Sequence, residues 1–462
     1  DRKAIGSNET LAKAFAELGV EAPMKLSPKT KKWIYAFAKS DPGMQELLEH
    51  QRDEVRWLAE ARIAVKSTIN ETRTQRFLKM GAGGAPMRVY LNYAKAHTYR
   101  WAGGDRRNFQ NLGRVDPRKP NSGMLKKSLV AAEGEQVVAA DSGAIEARGT
   151  AWLAGHDELI EGFKLNKDLY SALASEVYGR QVDRKRKPDH PDFHPDDEAA
   201  GGLGKVGILG LGYQMGWPKF ATTLLAGPMG AAPIRLLAKD ADVMGVDVDK
   251  FALDARKMKR LSKIVSRLTP EDLIIHCACA DKIVRTYRTV HRPIVDLWKT
   301  MEHVIETMAD IEEGEQFTFG PNECLTIVRH GIILPNGLTL RYPGLRKSED
   351  SEDEDGDRIA GGYSYLGQYG KQRQHIYGGL LTENVVQALS RIIIGEQMNS
   401  LKARYGYDTK LSTHDEILTV IAAQLAKLAC DHLVAEMKIP PNWAQGWPLN
   451  AEGGYAQSYG DC

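Results

Sequence analysis

The chain has 462 residues, 42% of them hydrophobic and 26% charged, which excludes an intrinsically disordered protein and exceeds one ordinary core, so two or more lobes are expected. No run of about 18 apolar residues exists to span a bilayer, no signal-peptide pattern opens the chain, and the first residue is Asp1 and not Met, as in a fragment or processed form. The formal charge of +2 hides local bias. Lys25 to Lys32 holds four lysines, Arg100 to Lys119 five arginines and one lysine, and Glu349 to Asp357 is almost wholly acidic. Such basic tracts suit a polyanionic partner or a solvated surface.

Residues 1–85 read as mostly helical. Asn8 or Thr10 caps a helix through Leu11, Phe15 and Leu18 that stops at Gly19. From Asp41-Pro42 a long helix follows, with Leu47, Leu48, Val55, Leu58 and Val65 on one stripe interrupted by Arg62. A lobe gripping a nucleic-acid backbone and plain helix packing both explain this pattern. Residues 86–114 hold short strand-like pieces and then Arg100, Asn108, Gln110 and Asn111, a set of donors for phosphates and base edges.

Gly134 to Ala140 is a short apolar strand ending at Asp141, and a helix begins near Ile145. Asp141 either caps that helix or points into one crevice with Glu146. Residues 157–321 are helical in pattern apart from a polar, Pro-rich insertion at 184–198. Lys205, Leu209 and Tyr213 fall at i, i+4 and i+8, so on a helix they share a face. His276-Cys277-Ala278-Cys279 has no second Cys/His pair at zinc spacing, and five scattered cysteines indicate a reducing compartment.

Thr326–Val328 and Ile332–Leu334 form a hairpin, and a helix from Leu381 to Arg404 exposes Glu383, Asn384, Gln387 and Arg391. Near the C-terminus, Thr413-His414-Asp415-Glu416 separates two β-branched runs as the tip of a hairpin. Adjacent carboxylates there gain if a divalent cation neutralises them.

Taken in order, these stretches resemble the motifs of the family A DNA polymerases, the polymerase I group and its phage relatives. Asp141-Ser142-Gly143-Ala144-Ile145-Glu146-Ala147-Arg148 resembles motif A, Lys205 to Tyr213 motif B, and His414-Asp415-Glu416 motif C. Arg100 followed by Asn108-Phe109-Gln110-Asn111-Leu112 is similar to the primer-template element. The stretches Leu334-Pro335-Asn336-Gly337, Tyr377-Gly378-Gly379 and Trp443 to Leu449 have a phage character. The departures are Gly201 where an arginine usually precedes the motif B lysine by four residues, Leu209 for an aromatic, Tyr170 for a histidine, and Glu383 for a glutamine.

The resemblance implies an α+β, right-hand polymerase fold: thumb 1–85, palm 86–154 and 326–462 around an antiparallel sheet, and helical fingers 155–325. It implies template-directed primer extension with dNTPs by the two-metal route, using Mg²⁺ for which Mn²⁺ can substitute. Asp141, Asp415 and the Ser142 carbonyl would hold the metals. Lys205, Leu209, Tyr213, Glu146 and Tyr170 would bind nucleotide, with Lys205 also catalytic and Glu146 the gate against ribose. Arg100, Asn108, Gln110, Asn111, Glu383, Gln387 and His414 would contact primer-template DNA, and Glu416 and Arg148 would support. The resemblance further implies a phage protein acting as a monomer in the host cytoplasm, with replication accessory proteins as further partners and no membrane. No stretch looks like the acidic Asp-X-Glu start of a proofreading exonuclease with its partner motifs, so that activity is not expected of this chain. A single-subunit RNA polymerase, a non-catalytic nucleic-acid-binding relative and a metal-dependent nuclease are the alternatives.

Overall fold

Three strands of the C-terminal half form a sheet with one strand from the first third of the chain. In the computed structural model this central strand is Glu135–Ser142, and its sheet runs Leu411–Thr413, Glu416–Ala422, Glu135–Ser142, Ala451–Ala456, antiparallel throughout. The structure describes residues 2–27, 32–38, 41–66, 69–104, 108–113, 123–228, 233–264, 266, 268–352, 358–359, 361–367 and 372–462. Lys29, Lys31, Arg106, Arg107, Arg114, Arg118, Lys119 and the acidic residues 353–357 lie outside them.

The middle of the central strand, Val137 to Ala140, is buried because both sheet faces are covered there. The helix Ala426–Glu436 packs against it, and the 28-residue helix Gly378–Tyr405 forms the spine of the surrounding core. That spine is buried on most sides, as a helix enclosed by other elements must be. A second antiparallel sheet, Phe317–Phe319, Leu325–Val328, Gly331–Ile333 and Thr339–Arg341, adds two strands to the expected hairpin. Among the described residues no helix is long and apolar enough to cross a membrane.

The chain divides into two compact units. One comprises Asp1–Met87 with Asp247–Cys277, the other Arg88–Val246 with Ala278–Cys462. In the first, Leu11, Phe15, Met44, Leu47, Val55 and Ala59 make the core. The first helix of that core is capped by Ser7, whose side chain accepts from the Thr10 amide, rather than by Asn8 or Thr10. The single long helix expected from residue 42 is two helices, Pro42–Leu48 and Asp53–Lys66, separated by a turn. Arg62 does not interrupt the packing: it is buried, donates to the Ile5 carbonyl and Asn8, and lies over the Phe37 ring. The unit also has a strand pair, Met24–Leu26 with Trp33–Tyr35, unexpected in a helical reading. His276, Cys277 and Cys279 are buried on the helix Pro270–Val290, and burial pushes the Cys277 thiol up to about 12. That environment favours an inert neutral thiol over a metal ligand.

In the second unit, His156 and His291 form a buried pair with nitrogens 3.1 Å apart. His156 Nδ1 accepts from the Leu159 amide, so its proton belongs on Nε2, facing His291. Burial, and then the neighbouring His156, pull His291 down to about 4, and burial lowers His156 as well. An unfolded chain therefore binds protons below pH 6.5 that the folded one refuses until about pH 4, so this pair's contribution is full above 6.5 and lost as pH falls. Unfolding free energy measured by urea titration should drop across that window by roughly 1.4 kcal/mol per pH unit per unprotonated ring. His291→Phe should flatten the slope; an unchanged slope would place the acid sensitivity elsewhere.

Candidate active site

Register decides what surrounds Asp141. The central strand pairs Asp141 with Glu416 on one side and Glu452 on the other, and directly opposed residues share a face. Asp141 is exposed at the strand's end, and the helix after it, Ile145–Leu153, begins behind Ala144 in the left-handed region (φ 52°). Asp141 is therefore no helix cap. Ser142 turns inward: its side chain is buried and bonds the Asn450 carbonyl.

The hairpin tip reaches the same place by backbone hydrogen bonding. Thr413 pairs with Glu416 across a two-residue loop whose first residue, His414, takes φ 58°, the positive φ that tight hairpin turns require. The next residue, Asp415, accepts at its carbonyl from the Ser142 amide (3.1 Å). One interstrand bond thus ties the residue after Asp141 to Asp415 itself. Glu416 is held aside, accepting from the Tyr459 hydroxyl, with Lys126 Nζ 3.8 Å away and lying over the Tyr459 ring. Burial and then Glu416 raise the Tyr459 phenol well above its ordinary range, so it stays a donor. Tyr459, Lys126 and Glu452 were missed by the sequence reading, because only strand pairing brings these neighbourhoods together.

Asp415 stands where two cavities meet. One, of about 210 Å³, is lined by Ile145, Glu146, Thr150, Leu209, Tyr213 and Asp415; the other by Arg100, Glu146, Arg391, His414 and Asp415. Glu146 bridges them, ion-paired with Arg100 and accepting from the Tyr213 hydroxyl (3.2 Å). Burial raises the Tyr213 phenol, keeping that hydroxyl protonated. Burial lowers the Arg100 pKa while Asp415, Tyr213 and Glu383 pull it back up. Lost solvation and nearby Arg100 hold His414 below the usual histidine value, so its ring is neutral at pH 7.

The helix Asp197–Gly210 carries Leu209 into the first cavity, while Lys205 is exposed one turn earlier and outside its lining. Tyr213 does not share that helix, which stops at Gly210. Its reversal is fixed by Trp298 Nε1 donating to the Gly212 carbonyl (2.8 Å) and by the Gly379 amide donating to Gln214 Oε1 (2.9 Å). Gly379 leaves no room for a Cβ, which would stand 2.6 Å from the Tyr213 carbonyl oxygen. Tyr170 starts the helix Leu169–Tyr178, half-buried beneath Arg184.

Gln110 is buried and lines a third hollow with Arg100, Arg391, Ser412 and His414, whereas Asn108 caps its short helix and Asn111 is exposed. On the long helix, Gln387 donates to Glu383 and meets Thr98, and Arg391 lies over the Tyr93 and Trp101 rings. None of the four expected polar positions is exposed: Asn384 is buried and donates to the Tyr342 hydroxyl, Arg391 lines two of the hollows, and Glu383 and Gln387 are half-buried. Arg148 is a buried brace. It donates to the carbonyls of Gly143 and Pro448 (both 2.7 Å) and stacks on Phe163, fixing the turn that follows Asp141.

The donor set fits a hard cation. Carboxylates directly opposed across strands repel, and a divalent ion near Asp141 and Asp415 would offset that. Among the described residues no three His, Cys, Asp or Glu side chains converge as a metal cage. Mg²⁺ suits such a site, since it is commonly held by one or two carboxylates with substrate phosphates supplying the rest.

The POL domain of Pol1 from M. smegmatis, solved in complex with DNA primer-template and dNTP, matches with TM-score 0.59 over 99% of this chain and 61% of that chain, at 16% identity. The fold is that of a polymerase I polymerase domain. A curated relative, the DNA polymerase of Bacillus phage SP02, is 26% identical over 339 residues, which cover 72% of this chain and 42% of that protein. The chain thus spans under half the length of the curated relative it matches. No family model matches it. Within this polymerase fold Arg148 gives a direct check on the geometry after Asp141. Arg148→Met should leave the Gly143 and Pro448 carbonyls unpaired and cost about 3 kcal/mol in urea unfolding; a loss under about 0.5 kcal/mol would show that the brace is dispensable.

Proposed function

We propose that this chain is the polymerase portion of a phage family A DNA polymerase, extending a DNA primer on a template with dNTPs. The observation that supports the reading is the Ser142–Asp415 backbone bond, which ties the residue after Asp141 to Asp415, a lining residue of the Glu146–Leu209–Tyr213 cavity. On this reading residues 1–85 are thumb, 86–154 and 326–462 palm, and 155–325 fingers. The protein works as a monomer in the host cytoplasm, with replication accessory proteins as further partners.

The reaction joins the primer 3′-oxygen to the α-phosphorus and releases pyrophosphate. Two Mg²⁺ ions held by Asp141, Asp415 and the Ser142 carbonyl would activate the 3′-hydroxyl and neutralise the triphosphate, a service Mn²⁺ can also provide. The side chains position and select. Lys205, exposed one turn from Leu209, meets the triphosphate and protonates the leaving pyrophosphate. Glu146, held by Tyr213 and Arg100, blocks the space beneath the sugar C2′. Neutral His414 and the cationic Arg100 face the primer terminus, while Gln110, Glu383 and Gln387 line the adjoining duplex path. Asn108 and Asn111 meet the template backbone from the same short helix, and Tyr170 borders the nucleotide. Arg148 and Glu416 stay supporting: one braces the turn, the other is engaged by Tyr459.

Primer extension with Mg²⁺ omitted and then restored tests the reaction. Asp141→Asn or Asp415→Asn should abolish extension while duplex binding in a gel-shift assay stays within about threefold, because phosphate contacts elsewhere supply most affinity. Undiminished extension by either variant would overturn the mechanism. Glu146→Ala should admit ribonucleotides that the wild type rejects. Equal use of ribo- and deoxynucleotides by the wild type would instead favour a single-subunit RNA polymerase.

A further inference from the structure

The Pro-rich segment at 184–198 begins with a side chain that the mechanism above leaves idle. Arg184 lies directly on Gly201. A Cβ built at Gly201 would stand 2.7 Å from Arg184 Cβ, 2.7 Å from its Cδ and 3.0 Å from its Cγ. The aliphatic stem of Arg184 thus fills the place a side chain at 201 would take. Gly201 precedes Lys205 by one helical turn, so the two positions share a face of the helix Asp197–Gly210.

The guanidinium is aimed and fixed. Its Nε donates to Asp168 Oδ2 (2.8 Å), and its plane lies over the Tyr170 ring at 4.9 Å. Asp168 is itself anchored as the N-cap of Leu169–Tyr178, accepting from the Ser171 amide and hydroxyl. The segment is clamped at both ends, because buried Asp197 accepts from Arg180 (2.6 Å) and from the Asp183 amide (3.0 Å). The two helices meet closely as well: a Cβ at Gly204 would lie 2.1 Å from the Tyr170 carbonyl oxygen. Asp168 occupies only the Nε edge, and among the described residues no hydrogen bond to the two terminal nitrogens of Arg184 is present. A guanidinium held by one edge, stacked and part-exposed, keeps the fork geometry that suits phosphate.

We infer that Arg184 is a second triphosphate-binding cation, delivered from the insertion onto Gly201 so that it stands beside Lys205 on one helix face. The site takes the β- and γ-phosphates of a nucleoside triphosphate. This rests on the polymerase reading for the direction from which the nucleotide enters. It also gives Gly201 a physical reason: any larger residue would displace the arginine stem.

The test combines steady-state primer extension with equilibrium binding of dATP to the full chain. Arg184→Ala should raise KM for dNTP and weaken dATP binding by about ten- to a hundredfold, the loss expected for charge-assisted bonds, with duplex affinity unchanged. The double variant Arg184→Ala/Gly201→Arg returns a guanidinium from the helix into the vacated space and should recover at least tenfold of the KM. An Arg184→Ala variant with unchanged KM and dATP affinity overturns the inference. So does a loss that the double variant fails to restore and that Asp168→Ala matches, since that marks Arg184 as a mere anchor of the segment. A wild type that extends no primer but binds dATP through Arg184 would sink the polymerase reading and leave this site standing.

Discussion

The Ser142 amide donating to the Asp415 carbonyl is the contact on which the site depends. Neither aspartate has local neighbours that would make it special: one ends a strand, the other turns a hairpin. Antiparallel pairing of Glu416–Ala422 with Glu135–Ser142 closes a loop of most of the chain, and its register brings the two carboxylates to one edge. A slip of one residue would turn Asp141 to the opposite face and bury a charge among apolar groups. The apolar run Val137 to Ala140 is buried, and pairing on both edges of its strand, with Glu416–Ala422 and with Ala451–Ala456, holds the register.

Around that edge the protein sorts its charges. Arg148 and Tyr459 are permanently engaged, one with backbone carbonyls and the other with Glu416, so they stiffen the frame without facing the cavities. Arg100, Glu146 and Tyr213 form a connected set whose members sit at the cavity walls. Glu146 is the shared acceptor of this set, so displacing it would release Arg100 and Tyr213 together. Fixed groups at the frame and exchangeable ones at the mouth are what a site needs if binding is to assemble it.

Periodicity and turn chemistry made much of this legible in the amino-acid sequence. The strand to Asp141, the hairpin at His414-Asp415 and the helix from 378 to 405 follow from β-branched runs, a tight polar loop and apolar spacing. Spacing misled where a helix ended early: i, i+4, i+8 placed Tyr213 on a helix that stops at Gly210, because a glycine-rich segment is easily turned by the Trp298 and Gly379 contacts. It also hid the break before Asp53 and the buried role of Arg62. Tyr459, Glu452 and Arg184 were beyond reach for another reason. Each acquires its place from a long-range contact, and nothing in its immediate neighbours announces one.

The central claim is that strand register makes one divalent-cation site out of Asp141 and Asp415. Electron paramagnetic resonance of Mn²⁺ added to the chain with a dideoxy-terminated primer-template and the next dNTP tests it most directly. The account predicts a spin-coupled Mn²⁺ pair whose signal is lost in both Asp141→Asn and Asp415→Asn. Isolated, uncoupled Mn²⁺ that survives both substitutions would contradict it.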